Sequence, residues 1–79
     1  MPESAEYLRI ADDVIADVRT GKLKPGDRLP SIADTRAAYR VSYGTVQLAY
    51  VRLEALRVIR RLQGKGVFVT DPKTWMREP

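Results

Sequence analysis

The side chains best suited to chemistry fall in two short stretches, Ser42–Tyr43–Gly44–Thr45–Val46–Gln47 and Gln63–Gly64–Lys65–Gly66. The chemistry they suit is recognition of a duplex polyanion, not bond making. A serine at the start of a helix caps it and leaves first-turn amides and short polar side chains to meet phosphates and base edges. A glutamine one turn in, Gln47, can pair with adenine N6 and N7, so A·T-containing positions are the expected target. A lysine between two glycines on a tight loop can approach a sugar–phosphate backbone closely. With no histidine and no cysteine, the commonest general base, the thiolate nucleophile and the usual zinc ligands are all missing. Catalysis, a bound metal and a cofactor are therefore not expected.

These residues work only if other elements hold them. After Ser42, the residues Val46, Ala49, Leu53 and Leu56 form an apolar stripe at helical spacing. That puts Tyr43, Gly44, Thr45, Gln47 and Tyr50 on or beside the other side, as candidate readers. The β-rich runs Val58–Leu62 and Val67–Val69, separated by Gln63–Gly66, predict a hairpin with a cationic tip, ended by Asp71–Pro72. Upstream, Tyr7, Ala11, Val14 and Val18, widened by Ile10 and Ile15, predict an amphipathic helix from about Ala5 to Thr20, stopped by Gly21. Lys22–Leu29 reads as a short extended piece with a turn at Pro25–Gly26, burying Leu23 and Leu29. Ser31, three residues before Asp34, predicts the capped start of a second helix over about Ile32–Tyr39, followed by a turn in which Val41 plugs the gap between helices. The resulting fold class is α+β, a winged helix-turn-helix with three helices and a small antiparallel β-hairpin wing. The domain is expected over residues 1–71 and a tail over 72–79, with Trp75 able to fold back on the core.

The net charge of +4 hides an asymmetry. Up to Thr20, Glu3, Glu6, Asp12, Asp13 and Asp17 face only Arg9 and Arg19, a net of −3; from Gly21 onward twelve Lys or Arg face five acids, a net of +7. One face is thus expected to meet a polyanion while the acidic face of the first helix stays solvated away from it. The acidic residues lack a compact ligand pattern. No apolar run approaches the roughly 20 residues of a membrane span, and the acidic start is not a secretion signal, so a cytoplasmic, nucleoid-associated location is expected.

The string Gly21–Lys22–Leu23–Lys24–Pro25–Gly26–Asp27–Arg28–Leu29–Pro30–Ser31, continued by Val41–Ser42, Thr45–Val46, Ala49–Tyr50, Leu53–Glu54 and Gln63–Val69, closely resembles the N-terminal domain of the GntR family of bacterial transcription regulators. The resemblance covers about Tyr7 to Val69. It implies a repressor that binds a two-fold symmetric, inverted-repeat operator, as a homodimer on DNA, with an effector-sensing C-terminal domain that is not within this chain. Either a fragment of a longer regulator or a stand-alone version from a mobile element or phage is expected, and no effector site within it. Three positions depart from the family pattern: Ala33 stands where an arginine often follows the serine of the second helix, Tyr43–Gly44 where arginine and threonine or asparagine are common, and Arg57 where a glycine usually ends the third helix. The first two changes remove the arginines most often able to read guanine.

The candidate DNA-binding set is therefore Arg28, Ser31, Arg36, Arg40, Ser42, Tyr43, Gly44, Thr45, Gln47, Gly64, Lys65 and Gly66. Arg28, Arg36, Arg40 and Lys65 are assigned to phosphates; Arg52, Arg60 and Arg61 are secondary, because strand alternation lets only one of the last two face a duplex. Two other functions fit the same fold. One is an architectural or excisionase-like factor, told apart by tandem sites beside an integration junction; the other is a protein-interaction module, which calls for an exposed apolar patch on the third helix where Tyr43–Gln47 is polar.

Overall fold

In the computed structural model, which describes the backbone of residues 2–75 and the side chains from Glu6 onward, the elements are α1 (Pro2–Arg19), α2 (Ile32–Tyr39), α3 (Tyr43–Ala55), β1 (Ile59–Leu62), β2 (Gly66–Val69) and one 3-10 turn at Pro72–Thr74. The end of the expected tail, residues 76–79, lies outside the described residues. α1 begins earlier than its apolar stripe implies, and Pro2 is no obstacle, since the first turn of a helix has no use for the missing N–H. Its Ile10, Ala11 and Val18 are buried, with Tyr7, Val14 and Ile15 packed at the edge. Gly21 stops it with a φ of +84°, a left-handed conformation that lets the Leu23 N–H reach the Asp17 carbonyl at 2.9 Å.

At Pro25–Gly26 the chain turns as expected, with Gly26 at φ +92° and the Asp27 N–H bonded to the Lys24 carbonyl at 2.9 Å. The Asp27 carboxylate accepts from the Lys24 N–H, also at 2.9 Å, and locks the turn. From there to Leu29 the chain is more than an isolated extended piece. It lies along the open edge of β2: the Gly26 and Leu29 N–H groups donate to the Val69 and Val67 carbonyls, and Val69 N–H returns to Asp27, each at 2.8 Å. The strand edge is thereby covered, and Leu29 is carried into the core.

β1 and β2 pair antiparallel in the register Ile59↔Val69, Arg60↔Phe68, Arg61↔Val67 and Leu62↔Gly66. The tip is closed by the Lys65 N–H donating to Leu62 O at 2.9 Å, with Gly64 at φ +77° in the position that such a turn reserves for a residue without a Cβ. The core gathers under α3, where Val46, Ala49, Tyr50 and Leu53 meet Ile10, Ala11 and Val18 of α1 and Val58, Ile59 and Val69 of the hairpin. Trp75 folds back against this core, as expected. Its indole N–H donates to the Thr70 hydroxyl at 3.0 Å, and the Arg19 guanidinium lies 5.9 Å from its ring centre.

Candidate nucleic-acid interface

Both helices of the helix-turn-helix begin on a serine. Ser31 accepts from Asp34 N–H at 3.1 Å and Ser42 from Thr45 N–H at 3.2 Å, each with the extended backbone that a capping residue needs. Between them Arg40 takes the left-handed conformation at φ 55°, its N–H reaching Arg36 O, and Val41 packs against the core. A side chain at such a φ costs about 1–2 kcal/mol relative to glycine, offset by the sharp turn that it closes.

The angle between α2 and α3 is held by a buried polar pair. Tyr50 donates to the Pro30 carbonyl at 2.8 Å, which leaves the Thr35 hydroxyl to donate to Tyr50 Oη at 3.0 Å. Burial pushes the Tyr50 phenol above its usual value, so it stays neutral. Tyr50 is thus no reader. It is 2% exposed, and its length carries the hydroxyl across to α2 instead of out to a ligand. A second tyrosine ties α2 to α1: Tyr39 donates to an Asp13 carboxylate oxygen at 2.6 Å, under the Arg9 guanidinium 5.6 Å from its ring centre. Burial first, then this hydrogen bond, raises the Tyr39 phenol to about 12. The acidic face of α1 is therefore not merely solvated, because Asp13 helps to dock α2.

Thr45 also departs from expectation. It is 4% exposed, and its hydroxyl is 2.9 Å from Ser42 Oγ, so it completes the cap from inside and presents no edge to a ligand. The remaining candidates are at the surface: Arg28, Ser31, Arg36, Arg40, Ser42, Tyr43, Gly44, Gln47, Gly64 and Lys65 are exposed, and Gly66 is half-buried. Two groups form. Ser42, Gly44 and Gln47 line one open trough of about 480 Å³, and Arg28, Ser31 and Gly66 line a second depression at the junction of hairpin and α2. Arg36, Arg40, Tyr43, Gly64 and Lys65 lie outside both.

Arg28 reaches towards the wing tip so tightly that a Cβ at Gly66 would sit 2.7 Å from its Nε. Gly66 has a φ of +122° there, a second reason for glycine. The hairpin pleat separates the adjacent arginines. Arg61 joins Arg28 and Ser31 and is paired with Glu54 at 3.4 Å, whereas Arg60 turns to the other face beside Leu62 and Phe68. Strand alternation requires only that the two differ; the packing of the hairpin on α3 decides which is which. The protein-interaction reading called for an exposed apolar patch on the third helix, and α3 carries one just beyond the polar Tyr43–Gln47 stretch. Leu48 and Val51 are 52% and 50% exposed and border the same trough as Gln47. Their spacing of three residues in the sequence was the available signal.

Among the described residues no group of His, Cys, Asp or Glu is arranged to hold a metal ion, and no helix is long and apolar enough to cross a membrane.

Comparison with known proteins gives one consistent family. The family model for bacterial regulatory proteins of the gntR family matches residues 6–69. The HTH-type transcriptional regulator YhcF of Bacillus subtilis is 32% identical over 65 residues, 82% of this chain and 54% of its own length. The mannosyl-D-glycerate transport/metabolism system repressor MngR of Escherichia coli is 33% identical over 67 residues, 85% of this chain and 28% of its own. This chain thus spans about half the length of the first and less of the second. A transcriptional regulator from Oenococcus oeni superposes with a TM-score of 0.78 at 41% identity, over 81% of this chain and 53% of that one. The DNA-binding domain of AraR, solved with operator ORR3, has the same fold at a TM-score of 0.78 and 23% identity, over 82% of this chain and 78% of that one. With its capped helix-turn-helix, its hairpin wing and a family match over most of its length, the chain belongs to the gntR family of bacterial regulatory proteins, whose winged helix-turn-helix domain it carries.

Proposed function

We propose that this chain binds double-stranded DNA sequence-specifically and acts as a bacterial transcriptional repressor that occludes a promoter. The observation that carries this reading is the start of α3: Ser42 caps it, the side chains of Tyr43 and, one turn in, Gln47 are exposed, and Gly44 leaves the backbone bare, on a helix against which a lysine-tipped hairpin packs. α3 would enter the major groove and the wing would follow the backbone or the adjacent minor groove. Gln47 and Tyr43 read base edges, Ser31 and Ser42 present capped helix ends, and Gly44 lets the helix backbone come close. Arg28, Arg36, Arg40 and Lys65 neutralise phosphates, and Gly64 and Gly66 shape the tip that holds Lys65. Arg61 joins them where it flanks Arg28 and Ser31. Pairing of two copies on an inverted-repeat operator, within the bacterial cytoplasm, completes the proposal; MngR, named a repressor, supports its regulatory sense.

Selection of bound duplexes from a random pool tests it directly. An inverted-repeat consensus is expected, and recovery of no enriched sequence would overturn the reading. For about four to five neutralised phosphates per subunit, log K should fall against log salt by about 0.9 per contact, and Lys65→Ala should weaken every sequence alike while flattening the slope by about one contact.

A further inference from the structure

Leu48 and Val51 are the large aliphatic side chains that α3 leaves in solvent, at 52% and 50% exposure. They do not stand apart from the proposed reading surface. Both border the trough that Ser42, Gly44 and Gln47 open, and at Gly44 that trough is bare: a Cβ there would meet no atom within 4 Å. Resting on the DNA-binding reading above, we infer that Leu48 and Val51 read thymine by packing on its C5-methyl group, so that α3 recognises a short A·T-rich step through Gln47 and an aliphatic pair acting together.

The chemistry is specific. The major-groove edge of a base pair carries nitrogen and oxygen donors and acceptors, and its one apolar group is the thymine methyl. An A·T pair carries that methyl at one end of the major-groove edge whose other end is the adenine N6 and N7 that a glutamine can take bidentately, so a glutamine and a neighbouring aliphatic side chain match the two halves of one pair. Spacing agrees. Leu48 and Val51 differ by about 4.5 Å along the axis at 1.5 Å per residue, against about 3.4 Å per base step, so the two contact the same or neighbouring steps. Gly44, one turn before Leu48 on the same face, removes the side chain that would hold the helix off the groove floor. An apolar pair left open to water beside Gln47 and the Ser42 cap is accounted for when methyl groups cover it.

The test replaces thymine with deoxyuridine, one position at a time, in the duplex that selection recovers, and measures affinity by fluorescence anisotropy for the wild type, Leu48→Ala and Val51→Ala. The wild type should lose about fourfold at each methyl contacted, the transfer value of one buried methyl group. Each alanine variant should lose that sensitivity at its own position, binding the thymine and deoxyuridine duplexes within about twofold of each other. Both residues are at the surface, so circular dichroism should show the variants folded. If the wild type binds the selected duplex but is indifferent to every deoxyuridine, or if the site under α3 contains no thymine, the methyl contact is wrong while DNA binding stands. If no duplex binds at low salt, both readings fall. Self-association of the free chain that Leu48→Ala abolishes, with no methyl sensitivity, would instead assign the patch to a second copy and overturn the inference.

Discussion

The two sides of α3 carry apolar residues of similar size and meet opposite fates. Val46, Ala49 and Leu53 are wholly buried and Tyr50 nearly so, while Leu48 and Val51, interleaved with them in sequence, stand half in water. The buried side is covered by α1 and the hairpin; the open side borders a trough that begins at the serine cap, and none of the described residues covers it. One helix is thus a structural wall and a reading surface at once, and the division follows from what packs against it and not from how apolar each residue is. Substitutions on the two sides should accordingly separate stability from recognition.

The largest break in that comparison is Leu53→Ala. Removing a fully buried leucine beneath α1 and the hairpin should cost about 2–5 kcal/mol in urea unfolding, enough to leave so small a domain partly unfolded. Tyr50→Phe comes next. It orphans the Thr35 hydroxyl and the Pro30 carbonyl and should cost about 1–3 kcal/mol, with base preference unchanged in the folded fraction. An unaltered midpoint would mean that the polar pair contributes nothing to the α2–α3 angle.

From the open side, Gln47→Ala should leave the unfolding midpoint within about 0.5 kcal/mol of wild type and relax discrimination at one operator position by about 1–3 kcal/mol. A changed midpoint with an unchanged specificity profile would reverse the assignment of sides. Smaller still is Arg57→Gly at the exit of α3, where φ is 63°. Relief of the left-handed strain should stabilise the domain by about 0.5–1 kcal/mol, read as a raised thermal midpoint.

The last test lies away from α3. Because the Tyr39 phenol ionises at about 12 when folded and near 10 when free, its contribution is fully present below pH 10 and is lost as pH rises from 10 towards 12. Wild type should therefore lose stability across that window more steeply than Tyr39→Phe. Parallel curves would show that the Asp13 contact does not matter to docking.

Much of this was legible because it is local. Ser31 with Asp34, Gly21, Pro25–Gly26 and Gly64 each act within a few residues, so the bounds of α2, the stop of α1 and the hairpin tip can be read from the chain, as can the glycine-like demand at Arg57. Tyr50 could not be placed that way. It sits one position beyond Ala49 in the apolar stripe, and its fate depends on a carbonyl twenty residues upstream. Thr45 misled for a related reason, since a polar residue in a first turn looks available until its neighbour's hydroxyl claims it.

By itself the sequence determined the order of helices and strands, the caps and turns between them, the basic bias after Gly21 and the family, because backbone stereochemistry and short-range hydrogen bonds need only adjacent residues. Only the tertiary structure decided that the Lys24–Leu29 stretch covers the edge of β2, that Arg61 and not Arg60 joins Arg28, that Tyr50 is buried and that Leu48 and Val51 are open. Those outcomes depend on which surfaces meet across the core, and burial is a property of pairs of elements far apart along the chain.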